Sequence, residues 1–537
     1  MNFIPNYQPY PSVRYPVYAN NGMVCTSCPQ ASAAGLEALK KGGNAIDAAV
    51  ATAAALTVCE PTANGIGGDA FALIWVEKEK KLYGLNASGV SPKSISIDKV
   101  KEKLGTDEMP LYGWTPVMVP GAPSAWAAVA KRFGRLPLTT SMAPAINYAR
   151  EGYPVSPNIA RMWDMSYNVY KKCEGPEFEE WFNTFAPEGR PPVPGEIMKL
   201  PYHGDTLEEI AKTEAESFYR GALAEKIGAE SEKFGGFLRK EDMNEYYPEW
   251  VEPIKVNYKG YEICEIPPNG QGIVALMALN MLKEFDFKEK ESVDTYHKQW
   301  EAMKIAFADG RHHVTDPRHM KVDKNDLISP EYGAYRAAQI NDGVGEPCPE
   351  LPPTSGTVYL CTADSEGNMV SYIQSNFYDF GSGMVIPGTG IALQNRGFGF
   401  SLDPAAANAL APGKKSYHTI IPGFIMKDGE AVAPFGVMGG AMQPQGHVQV
   451  VMNLIDFGLN PQQALDTPRW QWIGGKKFMI EDNFPAEIAR QLLFRGHEIE
   501  VALDNEPFGR GQIIVKLPNG VLVGGTEGRT DSNIACY

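Results

Sequence analysis

The stretch GTVYLCTADSEGNMVSYIQSN, residues 356–376, decides the fold. TVYLCTA and MVSYIQSN are rich in β-branched and aromatic residues, and SEGN lies between them as a turn, so the stretch predicts a β-hairpin. Before it comes EPCPELPPTSG (346–356), whose four prolines predict an exposed, irregular linker. Thr357 thus opens a strand directly after a linker, and Ser375 and Asn376 close the second strand of the same hairpin.

Downstream, strands are expected at residues 419–426 and 431–437. QGHVQVVMNLIDFG then reads as a helix from Gln445 to a stop at Gly458, and GQIIVKLPNGVLVGG as a hairpin around Pro518-Asn519-Gly520. Upstream, residues 29–60 predict two helices separated by Gly42-Gly43, the second so rich in alanine that other elements can approach it closely. NGIGGDAFALIWV turns from glycines into an apolar run, which predicts a buried strand at 71–76. Residues 120–290 read as mainly helical, and VDTYHKQWEAMKIAFADGR as a long amphipathic helix ending at Gly310. Strand–strand–helix runs joined by glycine turns indicate an α+β or layered α/β/α fold.

Composition narrows the function classes. The 537 residues carry 49 Lys+Arg against 64 Asp+Glu, a formal charge of −15, which disfavours nucleic acid as a partner. The longest apolar run, residues 48–59, is far short of the ~20 residues a bilayer needs, and the proline-rich start has no apolar signal core, so a cytoplasmic protein with no membrane association is expected. Of the eight cysteines only Cys25 and Cys28 form a CxxC; without a second pair or a nearby His, the expectation is no metal and two small loop residues. His312 and His313 are adjacent, point different ways, and are expected to be solvated or core residues. GIGGD lacks dinucleotide spacing and precedes its strand, and no cofactor motif is present.

Ten stretches in order carry a resemblance across almost the whole chain. They include GGNAIDAAVATAAALTVCEPTANGIGGDAF (42–71), VPGAPSAW (119–126), EAMKIAFADGR (301–311), FGSGMVIPGTGIALQN (380–395), PFGVMGGAMQPQGHVQVVMNLIDFGLNPQQALDTPRW (434–470) and GGTEGRTDSNIA (524–535). The chain resembles the γ-glutamyltransferase (glutathione hydrolase) family of N-terminal-nucleophile hydrolases, and within it the cytoplasmic, glutathione-hydrolase-like branch. The resemblance implies an α+β fold of four αββα layers. It implies a proenzyme that cuts itself between Gly356 and Thr357 into a large subunit, 1–356, and a small one, 357–537, forming one composite fold and open to further oligomerisation.

The residues suit that chemistry. Gly356 has no side chain to obstruct attack on its carbonyl by the Thr357 hydroxyl, and an N→O acyl shift followed by hydrolysis frees the Thr357 α-amine. A free α-amine titrates near ~7.7–8, so it serves as general base on the nucleophile's own residue and no separate His is required. By resemblance, Gly439 and Gly440 supply the oxyanion donors, helped by the dipole of the following helix, and Ser375 and Asn376 position nucleophile and substrate. The spacing from Asn376 to Phe380 is one residue longer than the family pattern.

Three departures bear on the substrate. LNASGVSP (85–92) lacks the Arg that holds a γ-glutamyl α-carboxylate in the family; the family's serine pair maps to His418-Thr419; and LQNRGFGFS (393–401) has Arg396 but no carboxylate for the α-ammonium. Arg396 is read either as a bidentate ligand of a substrate carboxylate, assisted by His418 and Thr419, or as a surface ion pair. Asp69 and Asp309 are expected to be a turn cap and an ion-pair partner. Three functions follow: cleavage of γ-glutamyl amides such as glutathione through a threonyl acyl-enzyme; an acylase of the same fold acting on glutaryl or related side chains; and an unprocessed binding protein.

Overall fold

The computed structural model describes residues 14–345 and 356–537. Expectations for the proline-rich start and the 346–355 linker lie outside the described residues. Two seven-stranded antiparallel sheets pack face to face between outer helical layers. One sheet runs Val17–Ala19, Leu522–Thr526, Arg510–Lys516, Glu430–Met438, Gly423–Lys427, Tyr261–Glu265, Ile254–Tyr258. The other runs Asn533–Cys536, Gly22–Thr26, Val358–Asp364, Met369–Ser375, Asp69–Val76, Lys81–Ala87, Glu249–Val251. Each sheet thus combines strands from both sides of Gly356.

Period-2 alternation builds the layers. In Asp69–Val76, Phe71, Leu73 and Trp75 enter the core between the sheets while Ala70, Ala72 and Ile74 face helices. In Val358–Asp364, Tyr359, Cys361 and Ala363 point between the sheets, and Val358 and Leu360 point to the helices. Both faces are buried, so these strands read as continuous apolar runs. Helices Pro29–Lys40 and Ala45–Cys59 cover the second sheet, the latter buried along its whole length and opened by an Asn44–Asp47 capping box. Helices Gly272–Leu282, Val293–His313 and Met442–Ile455 cover the first.

Several expectations are corrected. Residues 120–290 contain five strands: Tyr153–Pro154 and Ile197–Met198, which pair with each other, and Glu249–Val251, Ile254–Tyr258 and Tyr261–Glu265, which join the two large sheets. Ile254–Tyr258 alternates buried and exposed, and Lys259-Gly260, both at positive φ, close a tight hairpin that composition had hidden. The long helix runs through Gly310 to His313, because Gly310 packs against Val274 (an added Cβ would lie 2.6 Å from its Cγ2) and is there for close approach, not termination. The strand expected at 419–426 is Gly423–Lys427, and the helix expected from Gln445 begins at Met442. Cys25 lies in strand Gly22–Thr26, not in a loop. A small sheet of Trp470–Gly474, Lys477–Ile480 and Glu498–Val501 had no clear sequence signal.

A buried charge network holds the closing GTEGRTDS segment. Glu527 meets Arg469 at 2.8 Å and Arg529 at 2.7 Å and accepts the Gly511 amide; Arg529 also pairs with Glu481. Arg469 donates to the carbonyls of Phe508 and Gly509, and Gly509 lies directly beneath Gly439. Asp531 caps the helix that starts at Pro157. The two guanidinium groups outweigh burial and pull the Glu527 carboxyl down to about 2. Its folded value lies below the ordinary ~4.3, so its stabilisation is complete above that value and is lost as pH falls toward 2. Glu527→Gln leaves buried guanidinium charge uncompensated and is expected to cost about 3 kcal/mol in urea unfolding at pH 7. The cost should shrink at pH 3, and a pH-independent change below about 0.5 kcal/mol would contradict this account.

Candidate active site

The hairpin register pairs Val358 with Gln374, so Thr357 stands opposite Ser375. Thr357 is fully buried. Its Oγ1 lies 2.7 Å from the Gly356 carbonyl oxygen and 3.2 Å from Ser375 Oγ. Ser375 Oγ also donates to the Gly356 carbonyl at 2.8 Å and accepts the Phe377 amide at 2.8 Å. Two hydroxyls therefore converge on the carbonyl that precedes Thr357, polarising it with the candidate nucleophile already at hand.

Asn376 donates to the Phe380 carbonyl at 3.1 Å, and its buried Oδ1 has no hydrogen-bond partner. The NGIGGD turn packs on this amide: a Cβ at Gly68 would lie 2.7 Å from Asn376 Oδ1. The turn between Asn376 and Phe380 holds two non-glycine residues at positive φ, Phe377 (82°) and Asp379 (44°). That strained turn sets the Phe377 ring beneath Arg396, whose guanidinium carbon lies 3.9 Å from the ring centroid.

Arg396 is buried, which removes the surface ion-pair reading. Its Nη1 donates to Thr419 Oγ1 at 2.8 Å, while its Nε and Nη2 are buried without hydrogen-bond partners. Burial pushes its pKa down to about 9, against the pull of Asp69. Asp69 does more than cap a turn. One of its oxygens accepts the Gly89 amide and the other lies 3.0 Å from His418 Nε2. Burial raises Asp69 to about 7, opposed by Arg396. His418 is driven well below its ordinary value by burial and then by Arg396, so it is neutral. Its Nδ1 accepts the Ile420 amide at 3.4 Å, and its Nε2–H donates to Asp69. Both ring nitrogens are engaged, which corrects the expectation that His418 contacts substrate: it is a support behind Arg396, packed on Phe71. Asp309 pairs with Arg336 as expected, at 2.6 Å.

Gly439 (φ 137°) and Gly440 (φ 56°) turn strand Glu430–Met438 into helix Met442–Ile455. A Cβ at Gly439 would lie 3.0 Å from Gly509 Cα. Gln271 Nε2 bridges the carbonyls of Gly440 (2.8 Å) and Thr419 (2.6 Å), joining the glycine turn to the arginine side of the site. A cavity of about 450 Å³ opens there, walled by Gln271, Phe307, Val314, Phe377, Tyr417, Thr419 and Ala441. Phe307, Phe377 and Tyr417 give it aromatic walls, Arg311 and Asn408 add polar groups to the lining, and the Arg396 guanidinium lies behind Phe377 and Thr419. Sequence reasoning missed Gln271, Phe307 and Tyr417. Phe307 stands inside the quoted stretch 301–311, Phe377 follows Asn376 and Tyr417 precedes His418, but their convergence with Gln271 on one cavity comes from tertiary packing.

The only described His/Cys/Asp/Glu group with metal-like spacing is His297, Glu301 and His497. The two rings bond each other at 2.8 Å, and Lys304 lies 2.7 Å from Glu301. An ammonium thus already fills the cationic role, and the group anchors Asn341 and Gly345 instead.

Known proteins resemble this chain in sequence and fold. The γ-glutamyltranspeptidase family model matches residues 31–537. The glutathione hydrolase-like YwrD proenzyme of Bacillus subtilis (strain 168) is 36% identical over 93% of this chain and 95% of its own. The oxamate amidohydrolase proenzyme of Klebsiella pneumoniae is 34% identical over 97% and 99%. The crystal structure of cephalosporin acylase from Bacillus halodurans superposes with a TM-score of 0.95, at 57% identity, covering 100% of this chain and 99% of that one. The chain therefore belongs to the γ-glutamyltranspeptidase family, as an enzyme with the N-terminal-nucleophile hydrolase fold.

Proposed function

We propose that the chain is a self-processing acylase that cleaves amides of dicarboxylic acids such as glutaryl amides, holding the free carboxylate at Arg396. The observation that carries this reading is the buried guanidinium with two unpaired nitrogens beside an aromatic cavity. A carboxylate would satisfy both nitrogens bidentately and neutralise the charge. A γ-glutamyl group would bring an ammonium as well. The segment from Gly397 to Ser401 offers it no carboxylate, and Asp69 is committed to Gly89 and His418. Among relatives that include several glutathione hydrolases, the acylases and the oxamate amidohydrolase are those whose names agree with this reading, oxamate being itself a dicarboxylic monoamide.

In this mechanism the chain first cuts itself between Gly356 and Thr357. The freed Thr357 amine takes the proton of its own hydroxyl as Oγ1 attacks the amide carbonyl. Charge on the carbonyl oxygen is stabilised at Gly439-Gly440. The amine takes a proton and leaves, giving a Thr357 ester, and water activated by the same α-amine releases the dicarboxylate.

Turnover of glutaryl-p-nitroanilide is expected to exceed that of γ-glutamyl-p-nitroanilide by at least about tenfold in kcat/KM. Arg396→Met is expected to lower the glutaryl value about 100-fold. The same substitution should stabilise the unliganded protein by about 1 kcal/mol in thermal unfolding, because it replaces an under-paired buried charge with a methionine. Preference for the γ-glutamyl substrate, or indifference to Arg396→Met, would overturn the assignment.

A further inference from the structure

Gln271 is the residue at which the two ends of the proposed acyl site meet. It stands at the N-cap of helix Gly272–Leu282, which is buried over its whole length, and it is buried itself. Its Nε2 donates to the Thr419 carbonyl at 2.6 Å and to the Gly440 carbonyl at 2.8 Å. Its Oε1 accepts the Tyr417 hydroxyl at 3.2 Å. These partners fix which way the amide points, because carbonyls only accept and the hydroxyl is able to donate. Each carbonyl belongs to a residue at one end of the site. Thr419 accepts Arg396 Nη1 on its own hydroxyl, so Gln271 is one residue removed from the guanidinium. Gly440 is half of the glycine pair assigned to the developing oxyanion.

Other bonds already hold the segment around Thr419 in place. The Gln271 amide donates to the His418 carbonyl at 2.9 Å, the His418 amide donates to the Asn269 carbonyl at 2.8 Å, and Gln443 Oε1 accepts the Ile421 amide at 3.0 Å. The Gln271 side chain adds a direct tie between Thr419 and the glycine turn. Such a tie is stiff, because breaking either of its bonds leaves a buried carbonyl short of a donor. An acyl group with a terminal carboxylate has to span from Arg396 to the glycine turn. If that span cannot give, one methylene more or less misplaces either the carboxylate or the reacting carbonyl.

We propose that Gln271 is a positioning residue that fixes the length of acyl chain the enzyme accepts. The inference rests on the reading of Arg396 as the carboxylate ligand, and deepens it by naming what sets the distance from that carboxylate to the reacting carbonyl. Gln271 acts through Thr419 and Gly440, and the Tyr417 hydroxyl holds its amide in the orientation that reaches both.

The test compares the wild type with Gln271→Met, which keeps the side-chain length and removes the amide. Gln271→Asn, whose shorter amide cannot span both carbonyls, carries the same expectation and covers a Met variant that does not fold. The substrates are the p-nitroanilides of succinate, glutarate and adipate. The wild type is expected to favour one length over its neighbours by at least about tenfold in kcat/KM, and the variants to bring the three within about threefold of one another. A merely structural role would lower all three values alike and leave their ratios unchanged. Calorimetric titration with free succinate, glutarate and adipate reads the same length preference without turnover. Length-dependent binding that the variants lose, with no amide hydrolysed, would keep the role of Gln271 and remove the acylase reading. Hydrolysis with a length preference that the variants retain would overturn the role of Gln271 and leave the acylase reading standing. Equal values for the three lengths in the wild type, in turnover and in binding, would also overturn the proposal.

Discussion

The Gly356 carbonyl is the point on which the site turns. Its oxygen lies within hydrogen-bond reach of both the Thr357 and Ser375 hydroxyls. That convergence follows from one strand register, Val358 opposite Gln374, and the register is fixed because both faces of the hairpin are buried. A one-residue slip would move Tyr359 and Cys361 out of the core between the sheets and push Val358 and Leu360 into it. Packing that stabilises the sandwich thus also sets the geometry around the Gly356 carbonyl.

The rest of the site is assembled from pieces far apart in the chain. Glycine does this work at two places by admitting backbone where a Cβ would collide: Gly68 against Asn376, and Gly439 over Gly509. The latter contact is held from behind by Arg469 and the Glu527 network, so the closing GTEGRTDS segment supports the glycine turn from outside it. Electrostatics are divided in the same way. Arg396 keeps its charge in a buried setting through Thr419, the Phe377 face and the field of Asp69, while His418 remains neutral and fixes the position of Asp69.

Much of this was legible in the sequence. The hairpin at 357–375, the glycine pair and the alanine-rich helix follow from local composition, and the order of motifs pointed to the layered fold and its family. Roles that depend on long-range approach were not legible. Gly310 looked like a helix stop because its contact with Val274 lies in another helix. His418 looked like a substrate ligand because Asp69, which occupies it, is 349 residues away. Ile254–Tyr258 disappeared into a helical reading because an edge strand with polar alternate residues carries a weak signal. Arg396 was identified by its position in LQNRGFGFS, but its burial and its two unpaired nitrogens emerge only in three dimensions.

The most direct test is the intact mass of the purified protein beside a Thr357→Ala variant. Two fragments in the wild type, ending at Gly356 and beginning at Thr357, with a single uncut chain in the variant, are the expected result. A wild type that stays in one piece, or a variant that is cut as readily as the wild type, would contradict the role given to Thr357.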